Sequence, residues 1–231
     1  MTIVIHGEHT AHSRQKLSTV INQHQTQHIK MVRLEAKRIT EADLEMALGS
    51  ESLFNEPKVV VIEELHSLPK SKRKDTLIDQ LSQHALDTDL TLIIWEKRTL
   101  TATMLKKFPK AEVFEFKLSS TLFKWLESLS SDQKTKAQQL KYFHQTLETE
   151  DEFMCLSMLA RQIRMLIQTK EGATLSGAPF MIAKLKKQAG SISLEQLLAT
   201  HARLLEIELK HKTSSTPLTL RQDLDLLLLQ L

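Results

Sequence analysis

The chain has 231 residues, 41% of them hydrophobic, enough to bury one large core or two small ones. Five glycines and five prolines leave no long flexible linker, the single cysteine (Cys155) excludes an intramolecular disulfide and suits a reducing cytosol, and a net charge of +3 does not by itself argue for nucleic acid. The opening MTIVIHGEHT has no basic stretch or small-residue cleavage site and is not expected to be a signal peptide, while the longest apolar runs (Val59–Ile62, Leu90–Trp95 and Leu226–Leu229) are too short to cross a bilayer.

In chain order, Thr2–Ile5 reads as a buried strand, and Ala11–Gln23 as a helix with Leu17, Val20 and Ile21 on one face. Met31–Leu34 reads as a second strand. Thr40 and Asp43 have the spacing of a capping box and open a helix whose apolar face is Leu44, Ala47 and Leu48, with Gly49 as its stop. Lys58–Ile62, Leu90–Trp95 and Glu112–Phe116 are further strands, separated by helices over Asp75–His84 and Thr101–Lys107. Strands that alternate with helices pair in parallel, which predicts a doubly wound α/β layer of about five strands. From about Leu122 the pattern is helical: 122–129, 132–147, 151–170, 179–188, 194–211 and 217–231. The expected division is an α/β domain over 1–118, a linker or vestigial lid over 119–148, and an all-α domain over 149–231.

Val59-Val60-Val61-Ile62-Glu63-Glu64 has the form of a Walker B strand, whose acids would hold Mg²⁺ beside a nucleotide. The loop after the first strand, Gly7–Ser13, has no lysine and one glycine, and Glu8 would face the phosphates with the wrong sign. Nucleotide hydrolysis is therefore not expected, and no cofactor is. His6, His9 and His12 recur every three residues, but no acid–histidine constellation accompanies them, and no metal site is expected. Lys70, Lys72, Arg73 and Lys74 form a stretch without acids that reads either as a solvated face or as a phosphate-facing surface. Leu53 and Phe54, adjacent in a short connection, read either as core or as an exposed wedge for a partner.

Several stretches together resemble the delta subunit of the bacterial DNA polymerase III clamp loader. They are Ile3–Glu8, Leu48–Glu56 before Val59–Glu63, Thr91–Glu96 followed by Lys106-Lys107-Phe108, Leu159–Arg164, and Ser193-Leu194-Glu195 with Leu204–Lys210 and a leucine-rich end after Pro217. The resemblance implies an AAA+-like first domain and a C-terminal helical collar, in a reduced form that lacks most of the lid. It implies a cytoplasmic, non-catalytic subunit that binds and opens the sliding clamp, with Leu53 and Phe54 as the wedge. The implied partners are the sliding clamp, the ATPase subunits of the loader and, through the complex, primer-template DNA. Two other classes stand beside this one: a P-loop-like enzyme with an aberrant phosphate loop, and a free-standing nucleic-acid-binding protein that uses the basic stretches.

Overall fold

The structure, a computed structural model, describes residues 1–26, 29–49, 57–175 and 177–231. The chain divides into two compact units, Met1–Lys117 and Leu118–Leu231.

The first unit alternates strand and helix: β1 (Thr2–His6), α1 (Thr10–Thr26), β2 (Lys30–Glu35), α2 (Glu41–Gly49), β3 (Lys58–Glu63), α3 (Lys72–Gln83), β4 (Leu90–Glu96), α4 (Ala102–Leu105) and β5 (Glu112–Glu115). The strands form one parallel sheet in the order β2-β3-β4-β1-β5. This is the doubly wound parallel sheet of five strands that the sequence predicts. β3 is apolar on both faces because both faces are covered. Val60 and Ile62 pack with Leu44, Leu77 and Leu81 from α2 and α3, whereas Val59 and Val61 pack with Leu17 and Val20 from α1. Chain direction across the sheet reverses at β1, which lies between β4 and β5. In open α/β sheets the crevice at such a reversal, outside the carboxyl ends of the strands, is where ligands bind.

Local chemistry sets the helix ends. Asp43 N–H donates to the Thr40 hydroxyl over 3.1 Å and Thr40 N–H donates back to the Asp43 carboxylate over 2.8 Å, the reciprocal box read from the sequence. These hydrogen bonds hold the Asp43 carboxyl below its ordinary value. The third helix starts three residues earlier than expected, because Ser71 caps it by accepting from Lys74 N–H.

The second unit contains α5 (Ser120–Ser128), a 3₁₀ turn at Gln133–Thr135, α6 (Lys136–Thr146), α7 (Glu152–Lys170), α8 (Pro179–Gly190), α9 (Leu194–Lys212) and α10 (Leu220–Gln230). Residues 119–148, expected as a linker or vestigial lid, supply α5 and α6 to the same core as α7, α9 and α10. At its centre the rings of Trp125 and Phe143, both fully buried, lie 4.8 Å apart. Lys136 is buried and donates to the carbonyls of Ser130 and Leu228, so its charge sits at the carboxyl end of α10. Burial pushes the Cys155 thiol up to about 12, with Glu150, Asp151 and Glu152 adding to the shift. That thiol is a packing group, not a nucleophile.

The Trp125 indole N–H is buried and has no hydrogen-bond partner among the described residues. Trp125→Ala removes the largest ring of this core and should cost about 3–5 kcal/mol. Trp125→Phe keeps a ring and deletes the orphan donor, so its loss in urea unfolding should be less than half as large. Equal losses in the two variants would mean that the indole, not ring packing, holds the centre.

Candidate functional site

The carboxyl edge of the sheet in the first unit gathers its charged and polar side chains. β1 delivers the loop Gly7–His9 there, β3 delivers Glu63 and Glu64, and β4 delivers Glu96.

The loop closes onto the protein. Gly7 N–H donates to the Arg98 carbonyl over 3.2 Å, and His9 N–H donates to the Phe116 carbonyl over 3.0 Å. Phe116 N–H donates in turn to the His6 carbonyl over 2.8 Å. Gly7 adopts φ +131°, and a Cβ there would lie 2.1 Å from the Phe116 oxygen, so only glycine fits. A phosphate cradle needs loop amides that point into the crevice. Here the amides of Gly7 and His9 point into the protein instead.

Charged side chains pair along the rest of this edge. Glu63, nearly buried, is gripped by the guanidinium groups of Arg14 and Arg33. Arg14 also lies over the Trp95 ring, its guanidinium carbon 3.5 Å from the centroid. Trp95 Nε1–H donates to the Ser13 hydroxyl over 3.2 Å. Burial by itself would raise the Glu63 pKa, but the two guanidinium groups outweigh it and hold the carboxyl below its ordinary value. Glu64 stands at φ +60° and pairs with Lys97 at 2.9 Å. Both acids of the Walker-B-like strand therefore carry a cation of the chain itself.

A second cluster surrounds Glu96, which is fully buried. Its Oε1 accepts from His66 N–H over 2.6 Å and lies 3.1 Å from His66 Nδ1. The His66 carbonyl accepts from Lys74 Nζ over 2.6 Å and also from Arg98. His6 contributes its Nδ1 as acceptor for Leu100 N–H at 3.3 Å. Burial lowers the His6 pKa, with Lys117 and His66 pushing the same way against Glu115 and Glu96. His9 and His12 stack at 3.7 Å and do not converge on a common centre with His6. Among the described residues no group of three or more His, Cys, Asp or Glu is placed to hold a metal.

The basic stretch divides. Lys70 and Lys72 are exposed. Arg73 reaches the carbonyls of Ala36 and Ile39, and Lys74 is buried with Nζ on the carbonyls of His66 and Leu68. Burial, with Arg98 nearby, lowers the Lys74 pKa. Lys72–Lys74 form the first turn of α3 and do not precede it, so their charges stand at the helix end that repels cations. Of the four cations only Lys74 is buried, Lys70, Lys72 and Arg73 being exposed, and the expected helix start at Asp75 moves back to Lys72. The signal that corrects it is Ser71, a strong N-cap residue ahead of the helix. Arg14 and Arg33 were not legible as site residues, since they lie 49 and 30 positions from Glu63.

Leu53 and Phe54 lie outside the described residues. Their segment runs from the end of α2 to the start of β3, and these two ends are tied together, Lys58 Nζ donating to the Leu48 carbonyl over 2.8 Å.

The chain matches no family model and no curated protein. Among solved structures it is similar to the DNA clamp loader delta protein of Bacillus subtilis, at 14% identity and TM-score 0.47 over 99% of this chain and 94% of that one. It is also similar to domain III of the replication initiation protein DnaA of Thermotoga maritima, at 14% identity and TM-score 0.36 over 98% of this chain and 82% of that one. Both likenesses are distant and concern the fold. Among the described residues no helix is long and apolar enough to cross a membrane.

Glu63 supplies a test of the filled crevice. Its folded pKa is depressed, so its contribution to stability is complete above the ordinary glutamate value of about 4.3 and is lost as pH falls through the lowered value. Glu63→Gln should cost about 1–3 kcal/mol at pH 7, as charged hydrogen bonds become neutral ones, and should flatten the acid limb of the stability–pH curve. Thermal unfolding between pH 3 and 7 measures both. Coincident curves for the two proteins would show that the Arg14–Glu63–Arg33 cluster contributes nothing to folding.

Proposed function

We propose that this chain is a non-catalytic, delta-type clamp-loader subunit that binds and opens the sliding clamp as part of the DNA polymerase III holoenzyme in the bacterial cytoplasm. The observation that carries the reading is a doubly wound sheet whose β1 loop and Walker-B-like acid are engaged by the chain's own residues. The Gly7 and His9 amides are taken by backbone carbonyls, and Glu63 is taken by Arg14 and Arg33. A fold of ATPase type with a filled crevice suits an adaptor that works beside ATPase subunits. Those subunits, the clamp and primer-template DNA are the proposed partners, with Lys70 and Lys72 as the charges left to approach DNA.

Leu53 and Phe54 are the proposed wedge. The support is the Leu-Phe pair in the sequence, placed between a capped helix and a strand that is hydrogen-bonded on both edges. Anchoring both ends of a short segment lowers the cost of ordering it on a partner.

Two measurements test this function. Burying a leucine and a phenylalanine in a partner pocket is worth about 1.5–3 kcal/mol each. The double variant Leu53→Ala with Phe54→Ala should therefore bind the cognate clamp at least a hundredfold more weakly, at about 1.4 kcal/mol per tenfold, with its melting temperature almost unchanged. A collapsed melting temperature together with normal clamp binding by the remaining folded protein would assign the pair to the core. Separately, calorimetric titration of the isolated chain with ATP and Mg²⁺ should give no binding in the micromolar range. A micromolar affinity would favour the P-loop-like enzyme.

A further inference from the structure

Within the second unit, α5, α7 and α8 enclose a cleft of about 260 Å³. We propose that it is a docking groove for an acidic peptide segment that carries a bulky apolar side chain.

The walls supply the apolar half of this recognition. Phe123, Met158, Met165, Phe180, Met181 and Leu185 line the cleft. Phe180 is 66% exposed, Met181 53% and Phe123 42%, an unusual gathering of large apolar groups around one opening. The volume exceeds the roughly 150 Å³ that admits a benzene ring, so a leucine or aromatic side chain fits. The methionines adapt their shape to what enters.

The floor is preformed. Gln162 Nε2 donates to Gln188 Oε1 over 2.6 Å, and Gln188 Nε2 donates to the carbonyls of Leu126 and Leu129 over 2.7 and 3.2 Å. This chain of amides ties α7 to α8 and α8 to the end of α5, so the cleft need not be organised when a ligand arrives.

The rim supplies the charge. Arg161 is exposed and has no ion-pair partner among the described residues. Glu127, the acid of this rim, is already held by Lys184 at 2.8 and 2.9 Å. Of the charged lining residues Arg161 and Lys184 are cations and Glu127 is the acid, so the rim carries a net positive charge that rests on Arg161. An apolar slot under a cationic rim complements a segment in which carboxylates flank an apolar side chain. A second copy docked face to face about a two-fold axis would set Arg161 and the α8 lysines against their like, which disfavours self-association. A membrane meets a convex apolar face, whereas this one is concave.

The test uses the full chain on an immobilised array of octapeptides in which Asp and Glu are permuted with Leu, Phe and Trp, next to a sibling array with Asn and Gln in place of the acids. Acidic members should be retained, and in fluorescence anisotropy the tightest of them should bind at least tenfold better than its amide sibling. Arg161→Glu and Phe180→Ala, both at exposed positions, should each weaken that peptide tenfold or more with the melting temperature unchanged. The proposal is overturned if no member of the acidic array is retained or if the amide siblings bind equally. It is also overturned by unchanged affinity in both variants, by binding to phosphatidylserine vesicles without peptide binding, or by a dimer in sedimentation that Phe180→Ala dissolves.

Discussion

The arrangement of the carboxyl edge depends on how closely Gly7 approaches the Phe116 carbonyl. With φ at +131° and no room for a Cβ, the loop after β1 lies flat against the end of β5 and gives its amides to Arg98 and Phe116. Those two amides then face inward and are not offered to an anion. Beside that loop, the carboxyl ends of β2, β3 and β4 meet long side chains that carry both apolar stem and charge. Arg14 covers Trp95 with its guanidinium plane and meets Glu63 with its edge. Arg33 closes the cluster from the edge strand. Glu63 ends a strand of Walker B form, and two cations of the same chain satisfy it.

The two buried lysines are placed by the same rule: each ammonium sits where backbone carbonyls need a donor. Lys74 answers the turn after β3, and Lys136 answers the end of α10. Each is desolvated, each has its pKa lowered by burial, and each ties a segment that has no regular ladder of its own. Neither is available to a partner. Counting cations along the sequence therefore overstates the charge that the surface offers.

The sheet was readable from sequence because it is buried on two sides. A strand such as Val59–Ile62 must then be apolar without interruption, and its length distinguishes it from a helix. Thr40 and Asp43 were readable because a capping box is local, complete within four residues. The crevice was half readable. The missing lysine and glycines of the phosphate loop are visible as absences, but what fills the space is not, because Arg14, Arg33 and Glu63 meet only through the register of strands and the position of α1. Lys74 misled for a related reason. A lysine among lysines looks solvated, and its inward turn is decided by carbonyls at His66 and Leu68 that no periodicity reveals.

The filled crevice also changes what the fold responds to. A protein whose site is occupied by a dissolved ligand gains stability in proportion to the logarithm of that ligand's concentration. A guanidinium attached to the backbone is present beside its carboxylate at every dilution, at an effective concentration set by the chain alone. The contribution of Arg14 and Arg33 therefore has no mass-action term. This edge of the sheet needs no dissolved ligand to keep its shape, and among the cluster's own groups the protonation of Glu63 sets a condition on it.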